Sequence, residues 1–157
     1  MVRSTFRCTQ RTYYFNESSF LRCCIDRLLE IEGDETIEAK HTLFRLFNYV
    51  KSLLPSPDVN VMIAASKTLG RIAEMGGTAF ADQIDVEVPR ALEALQSDKP
   101  EGRHAAVLVL RELARHSAAH FHPHVGLVLG RIWLPLRDSR VSVMSHQSVV
   151  LSKYTRV

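Results

Sequence analysis

An all-α array of stacked helix pairs, about three units long, is the architecture this sequence predicts, and three observations predict it. A pair of small residues recurs at a fixed interval: Ala64 and Ala65 stand 41 residues after Cys23 and Cys24 and 41 before Ala105 and Ala106. Leu28, Leu69, Leu110 and Leu151 keep the same step of 41, and the turn acids Asp58, Asp98 and Asp138 lie 40 apart. Within each interval the apolar residues follow helical spacing, i, i+3, i+4, i+7, instead of alternating. Self-similarity at about 40–47 residues with helical patterning inside each unit marks a HEAT- or armadillo-like α-solenoid. In such an array no unit buries its apolar face alone, so neighbours must stack.

The chain of 157 residues has room for about three to four units of this size. A charged fraction of 24% and a hydrophobic fraction of 46% are ordinary for a globular protein, and no apolar run approaches the roughly 18 residues of a membrane-spanning helix. The net charge of +3 is carried by the ends. Residues 1–16 hold Arg3, Arg7 and Arg11 and no acid, while residues 137–157 hold Arg137, Arg140, Lys153 and Arg156 against Asp138, so each end is +3 and the body is −3. An acidic body argues against a nucleic-acid footprint, which requires a clustered basic face. The three cysteines, Cys8, Cys23 and Cys24, form no disulfide framework, and Cys23 and Cys24 read as small apolar residues in a reducing compartment.

Taken in order, residues 1–16 read as a basic tail; their composition occurs in organelle transit peptides, but the helical stripe is weak. Residues 17–140 read as the array. Its first helix spans about 18–32, with Ser18 or Ser19 as N-cap, Phe20, Leu21, Cys24, Ile25, Leu28, Leu29 and Ile31 as the apolar stripe and Gly33 as the stop. This helix reads as the second of its pair. The polar linker GDETIEAK leads to a first helix carrying Leu43, Leu46, Phe47, Val50, Leu53 and Leu54, closed by Pro55 and Pro57. Its partner spans about 58–75 and stops at Gly76 and Gly77.

The next unit repeats this grammar, with Val88, Ala91, Leu92 and Leu95 on its first helix, which Pro89 makes start late or kink. In the turn SDKPEG, Asp98 and Glu101 resemble a capping box and Pro100 suits the first helical turn. The second helix, about 102–116, is apolar on most faces and so is predicted to be covered on most faces. A third unit starts near Pro123 with Val125, Val128, Leu129, Ile132, Trp133 and Leu136, and turns at Asp138. Residues 141–157 depart from the pattern, placing His146 and Gln147 where the small pair belongs. They read as an incomplete repeat.

Candidate chemistry is sparse. His116, His120, His122 and His124 form the densest cluster of metal-binding side chains, but no Cys, Asp or Glu lies among them and Pro123 interrupts the spacing, so they read as an inter-repeat loop and not a zinc site. Gly76 and Gly77 lack the following Lys and Ser or Thr of a phosphate loop, and Ser66 beside Lys67 has no nucleophile elbow. No catalytic, cofactor-binding or metal-binding residue is assigned. Arg71, Glu74, Arg111, Glu112 and Arg115, on the second helices, are the candidates for inter-repeat or partner contacts. Met62, Ile63 and Trp133 read as core. Three functional classes fit such a chain: a scaffold, a free-standing HEAT adaptor, or a metal- or nucleic-acid-binding module using the histidines or the basic ends.

The stretches LLPSPDVNVMIAASKTLGRIA and VPRALEALQSDKPEGRHAAVLVLRELA resemble the N-terminal HEAT solenoid of the target-of-rapamycin (TOR) serine/threonine kinases, with CIDRLLEIEGDE and WLPLRDSRV similar to the flanking segments. The resemblance covers about residues 21–141, and EGRHAAVLVLRELA is its most specific part. Residues 1–19 have no counterpart, and the family's Ala-rich helix is replaced after Val141, as in a fragment of a longer chain or a short paralogue. The resemblance implies a non-catalytic scaffold from a nutrient-sensing kinase, cytoplasmic or recruited to endomembranes. It also implies assembly with raptor-type or rictor-type subunits, without small-molecule substrate, nucleic acid, cofactor or integral membrane segment. The kinase catalytic loop, the D-F-G triplet and the nucleotide-binding glycine loop are absent from the sequence.

A broken last repeat and an unpaired first helix leave apolar inter-repeat faces uncovered. The isolated chain is expected to self-associate or to unfold broadly at modest temperature. Sedimentation velocity over a concentration series, with a thermal melt, checks this; a monomer with a sharp, high-temperature transition contradicts it.

Overall fold

The computed structural model describes residues 17–34 and 36–133, and every element among them is a helix or a turn. The first helix, α1 (Glu17–Glu30), buries Leu21, Cys24 and Leu28 at helical spacing and leaves Cys23, Ile25 and Leu29 exposed. Of the cysteine pair, therefore, only Cys24 is a core residue. The helix already includes Glu17, so Ser18 and Ser19 lie inside α1. Gly33 ends the following turn at φ 84°, a left-handed conformation that glycine adopts without steric cost.

The helix α2 (Ile37–Ser52) begins within the stretch that reads as a polar linker. Thr36 is the reason: its Oγ1 accepts the Ala39 backbone N–H at 3.2 Å, so a capped helix starts before the first large apolar residue. Ala39, Leu43, Leu46, Phe47 and Val50 form its buried face. In α3 (Val59–Gly76) the carboxylate of Asp58 caps the N-terminus by accepting from the Asn60 N–H at 2.8 Å. The two glycines at its end have separate jobs. Gly77 takes φ 50°, and a Cβ on Gly76 would sit 2.0 Å from the Phe80 ring. Without that Cβ, the short 3₁₀ turn Gly77–Phe80 folds Phe80 into the core, where it stacks on Phe44 at 4.4 Å and meets Phe47 edge-on at 5.5 Å.

The next helix, α4 (Ala81–Ala94), starts eight residues before Pro89 and runs through it, so it does not start late. Pro89 is exposed, so the freed carbonyl one turn back can be met by water, while buried Ile84, Glu87, Val88, Ala91 and Leu92 hold the helix against the core. In α5 (Pro100–His116) Pro100 takes the first turn as expected, but the capping box does not form: Lys99 is the N-cap residue, with no side-chain cap bond. Arg103 ties the preceding loop instead, donating to the carbonyls of Ser97 at 2.7 Å and Asp98 at 3.1 Å. From His104 to Ala114 every residue of α5 is buried. A helix covered on all sides matches its apolar composition.

The last described elements are α6 (Ala118–Phe121), the 3₁₀ turn His122–His124 and α7 (Val125–Arg131). Phe121, Val128 and Ile132 are buried, whereas Trp133 is 55% exposed and not core. Ile132 lies one turn after Val128 and takes the inward position, which sends the next residue outward. Residues 1–16 and the third-unit positions Leu136, Asp138, His146 and Gln147, with the rest of 141–157, lie outside the described residues.

These helices form an α-solenoid in two layers. One layer is the row α1, α3, α5, with α3 in the middle and packed most extensively on α5; in the other, α2 lies on α3 and α4 on α5, and α6 packs against α4 and α5. Of the small pairs, Cys24, Ala65, Ala105 and Ala106 are buried, Ala64 is half-buried and Cys23 is exposed. The α3–α5 approach depends on Gly70, whose added Cβ would fall 2.9 Å from Glu112 Cβ and 2.8 Å from the His116 ring. Elsewhere in a helix, glycine-to-alanine gains about 1 kcal/mol of helix propensity. Here the substitution Gly70→Ala is expected to destabilise the chain by about 1–2 kcal/mol net, because the α5 backbone must move away. Urea unfolding of the two proteins measures the difference; a stabilised variant would show that the helices are not in contact at this point.

Candidate interaction surface

The acids and bases on the second helices form a ladder across all three members of the row. Arg71 on α3 reaches Glu32, just beyond α1, at 3.3 Å and Glu74 on its own helix at 3.3 Å. Glu74 meets His116 Nδ1 on α5 at 2.9 Å, and His116 Nε2 faces Glu112 at 3.5 Å. Glu112 in turn accepts from Arg111 Nε at 2.7 Å. Arg71 and Glu74 are half-exposed, at 50% and 47% of their side chains, whereas Arg111 and Glu112 are buried, at 8% and 1%. The ladder thus runs from solvent into the core.

Four of the five candidate residues are joined in this ladder; Arg115 is exposed near the end of α5. Two members, Glu32 and His116, are not among the contact candidates that the sequence offers; His116 enters there only in the histidine cluster read as a loop, whereas it closes the last turn of α5. Glu112 and His116 are one helical turn apart, and that spacing was the available signal for His116. Glu32 lies beyond the end of α1 and gave no periodic signal.

The histidines are drawn to different partners. His124 Nε2 lies 2.8 Å from Asp85 on α4, whereas His116 meets Glu74 on α3; His120 is half-buried and His122 exposed. Among the described residues no group of three or more His, Cys, Asp or Glu side chains is placed to hold a metal ion. A second cross-unit tie lies in the other layer: Glu87 on α4 pairs with Lys51 of α2 and, at 2.7 Å, with Arg90, and the Lys51 ammonium also sits 5.6 Å from the Phe47 ring centre.

Beside the ladder, between α1 and α3, is a groove of about 200 Å³. It has a sequence origin. Leu29 stands one step of 41 before Gly70, so α1 presents a leucine where α3 presents a glycine. The close approach of α3 to α5 is not repeated between α1 and α3, and the gap is lined by Ile25, Leu28, Leu29 and Met75 with Lys67 and Arg71 on the α3 side.

The fold defines a class, the α-solenoids, whose ladders and grooves lie on surfaces that cross unit boundaries. No protein-family model matches the chain. Among curated proteins it is 37% identical over 127 residues to the serine/threonine-protein kinase TOR2 of Saccharomyces cerevisiae, covering 75% of this chain and 5% of that protein. It is 35% identical over 117 residues to the kinase tor1 of Schizosaccharomyces pombe and 30% identical over 135 residues to the kinase TOR of Arabidopsis thaliana, again covering 5% of each. The chain therefore belongs with the target-of-rapamycin serine/threonine kinases, of which it matches one short segment. It spans about one twentieth of the length of these relatives.

The burial gradient along the ladder separates two outcomes. Removing one partner of a buried ion pair strands the other charge, so Glu112→Ala is expected to cost about 3 kcal/mol of unfolding free energy. Arg71→Ala breaks only half-exposed contacts and should cost less than about 1 kcal/mol. Chemical denaturation of both variants gives the comparison, and equal losses would contradict the gradient.

Proposed function

We propose that this chain is a HEAT-type scaffold segment of target-of-rapamycin character, non-catalytic in itself, which holds protein partners in growth signalling. The observation that carries the reading is the coincidence of the matched segment with a helix-pair array: the relatives are kinases, yet the stretch they share with this chain is solenoid. A solenoid offers a long surface whose residues come from successive units, and such surfaces act by holding partners. The absence of a kinase catalytic loop and of a D-F-G triplet from the 157 residues supports a non-catalytic role. Raptor-type or rictor-type subunits are the proposed partners, and the cytoplasm or an endomembrane surface is the proposed place of assembly. In this reading the ladder keeps α1, α3 and α5 in register, and the partner surface is the exposed edge beside it.

Purified full-length chain mixed with purified raptor-type or rictor-type subunit, followed by size-exclusion chromatography, tests the proposal. A stoichiometric complex with either subunit is expected. Failure to bind both, in a chain whose helical circular dichroism is intact, would overturn the assignment and favour an adaptor with other partners.

A further inference from the structure

We infer that α1 is an arm that lifts away from α3 about the turn at Gly33 while α2–α5 stay folded. Its hold is poor beside that of its neighbours. Among the described side chains of α1, Leu21, Cys24 and Leu28 are buried, whereas α5 buries eleven residues in succession. Ile25 and Leu29 stay 43% and 62% exposed, since they line the gap of about 200 Å³ that α3 does not fill. The less apolar surface an element buries, the smaller the free energy that separates it from the rest.

The polar tie and the chain connection resist the movement little. Arg71 reaches Glu32 at 3.3 Å with both side chains half-exposed, where an ion pair contributes little. On the other side of α3, Glu74 meets His116 at 2.9 Å beside the buried Arg111–Glu112 pair. Gly33, in the turn that joins α1 to α2, is exposed at φ 84°, and even an added Cβ would meet nothing within 4 Å. A few residues of this kind suffice to absorb the dihedral change of a hinge. The helix α2 is anchored separately, by the stacking of Phe44 on Phe80 and by the Lys51–Glu87 pair. When α1 lifts, Leu21, Cys24 and Leu28 come into water, and α3 offers the surface that α1 had covered.

Thiol labelling of the full chain tests this. With Cys8→Ser and Cys23→Ser in place, Cys24 is the single thiol, and its reaction with excess dithiobis(nitrobenzoate) reports each exposure of the inner face of α1. The exposed population is expected to exceed the globally unfolded one, measured by urea unfolding of the same protein, by at least about tenfold, and to depend weakly on urea. Gly70→Ala supplies the sharper comparison, since the α3–α5 contact it disturbs is present whether α1 is seated or lifted. That substitution should change the global unfolding constant about 5–30-fold and leave the labelling of Cys24 within about twofold. Labelling that follows global unfolding, in either direction, would overturn the inference. Hydrogen exchange of the unsubstituted chain is the second measurement. Amides of residues 24–28 should exchange through a smaller opening free energy than those of residues 65–72 and 104–114, and one shared value for these segments would equally overturn it.

Discussion

The close approach of α3 to α5 is the constraint on which the rest of this array depends. It exists because Gly70 carries no side chain where Glu112 and His116 press in. With the two helices this near, α5 is enclosed along eleven consecutive residues, from His104 to Ala114. That enclosure takes Glu112 and Arg111 out of water, and a buried carboxylate beside a buried guanidinium is tolerable only as a bonded pair. His116 and Glu74 then carry the polar contact outward to Arg71 and Glu32. One missing methyl group sets the spacing, and the ionic pattern follows from the spacing.

The other layer is held by different means. Phe80 reaches the core through a single 3₁₀ turn, and its ring stacks on α2 while its chain continues into α4. Lys51 and Glu87 join the same two helices from the partly buried side. Aromatic stacking and a shielded ion pair thus do for α2 and α4 what a glycine contact does for α3 and α5. The two layers differ in how tightly they can be drawn together, because a ring fills space and a glycine removes it.

Much of this was legible in the sequence, and the reasons are local. The step of 41 between small pairs picks out Cys24, Ala65, Ala105 and Ala106 as buried, though not Cys23, and Asp58, Gly33 and Gly77 mark helix ends through chemistry that needs only adjacent residues. What was not legible depends on rotation and distance between helices. Thr36 is a cap that a polar stretch concealed, and Pro89 is accommodated because it faces solvent, which composition does not reveal. Asp98 and Glu101 have the right types for a capping box, yet the Arg103 contacts with the loop carbonyls fix a different start. The ladder links residues 39 and 42 positions apart, and the groove comes from comparing Leu29 with Gly70 across a repeat. Both require knowing that α1, α3 and α5 lie side by side.

The leucine at the glycine position also sets how the array responds to force. Where α3 and α5 touch backbone to side chain, bending must compress atoms already in contact; between α1 and α3 the first displacement closes a gap. Elastic compliance is therefore concentrated at one joint, and the row behaves as a stiff segment beside a soft one. An object wedged into the soft joint would limit its travel, so occupancy there would be felt as curvature along the solenoid.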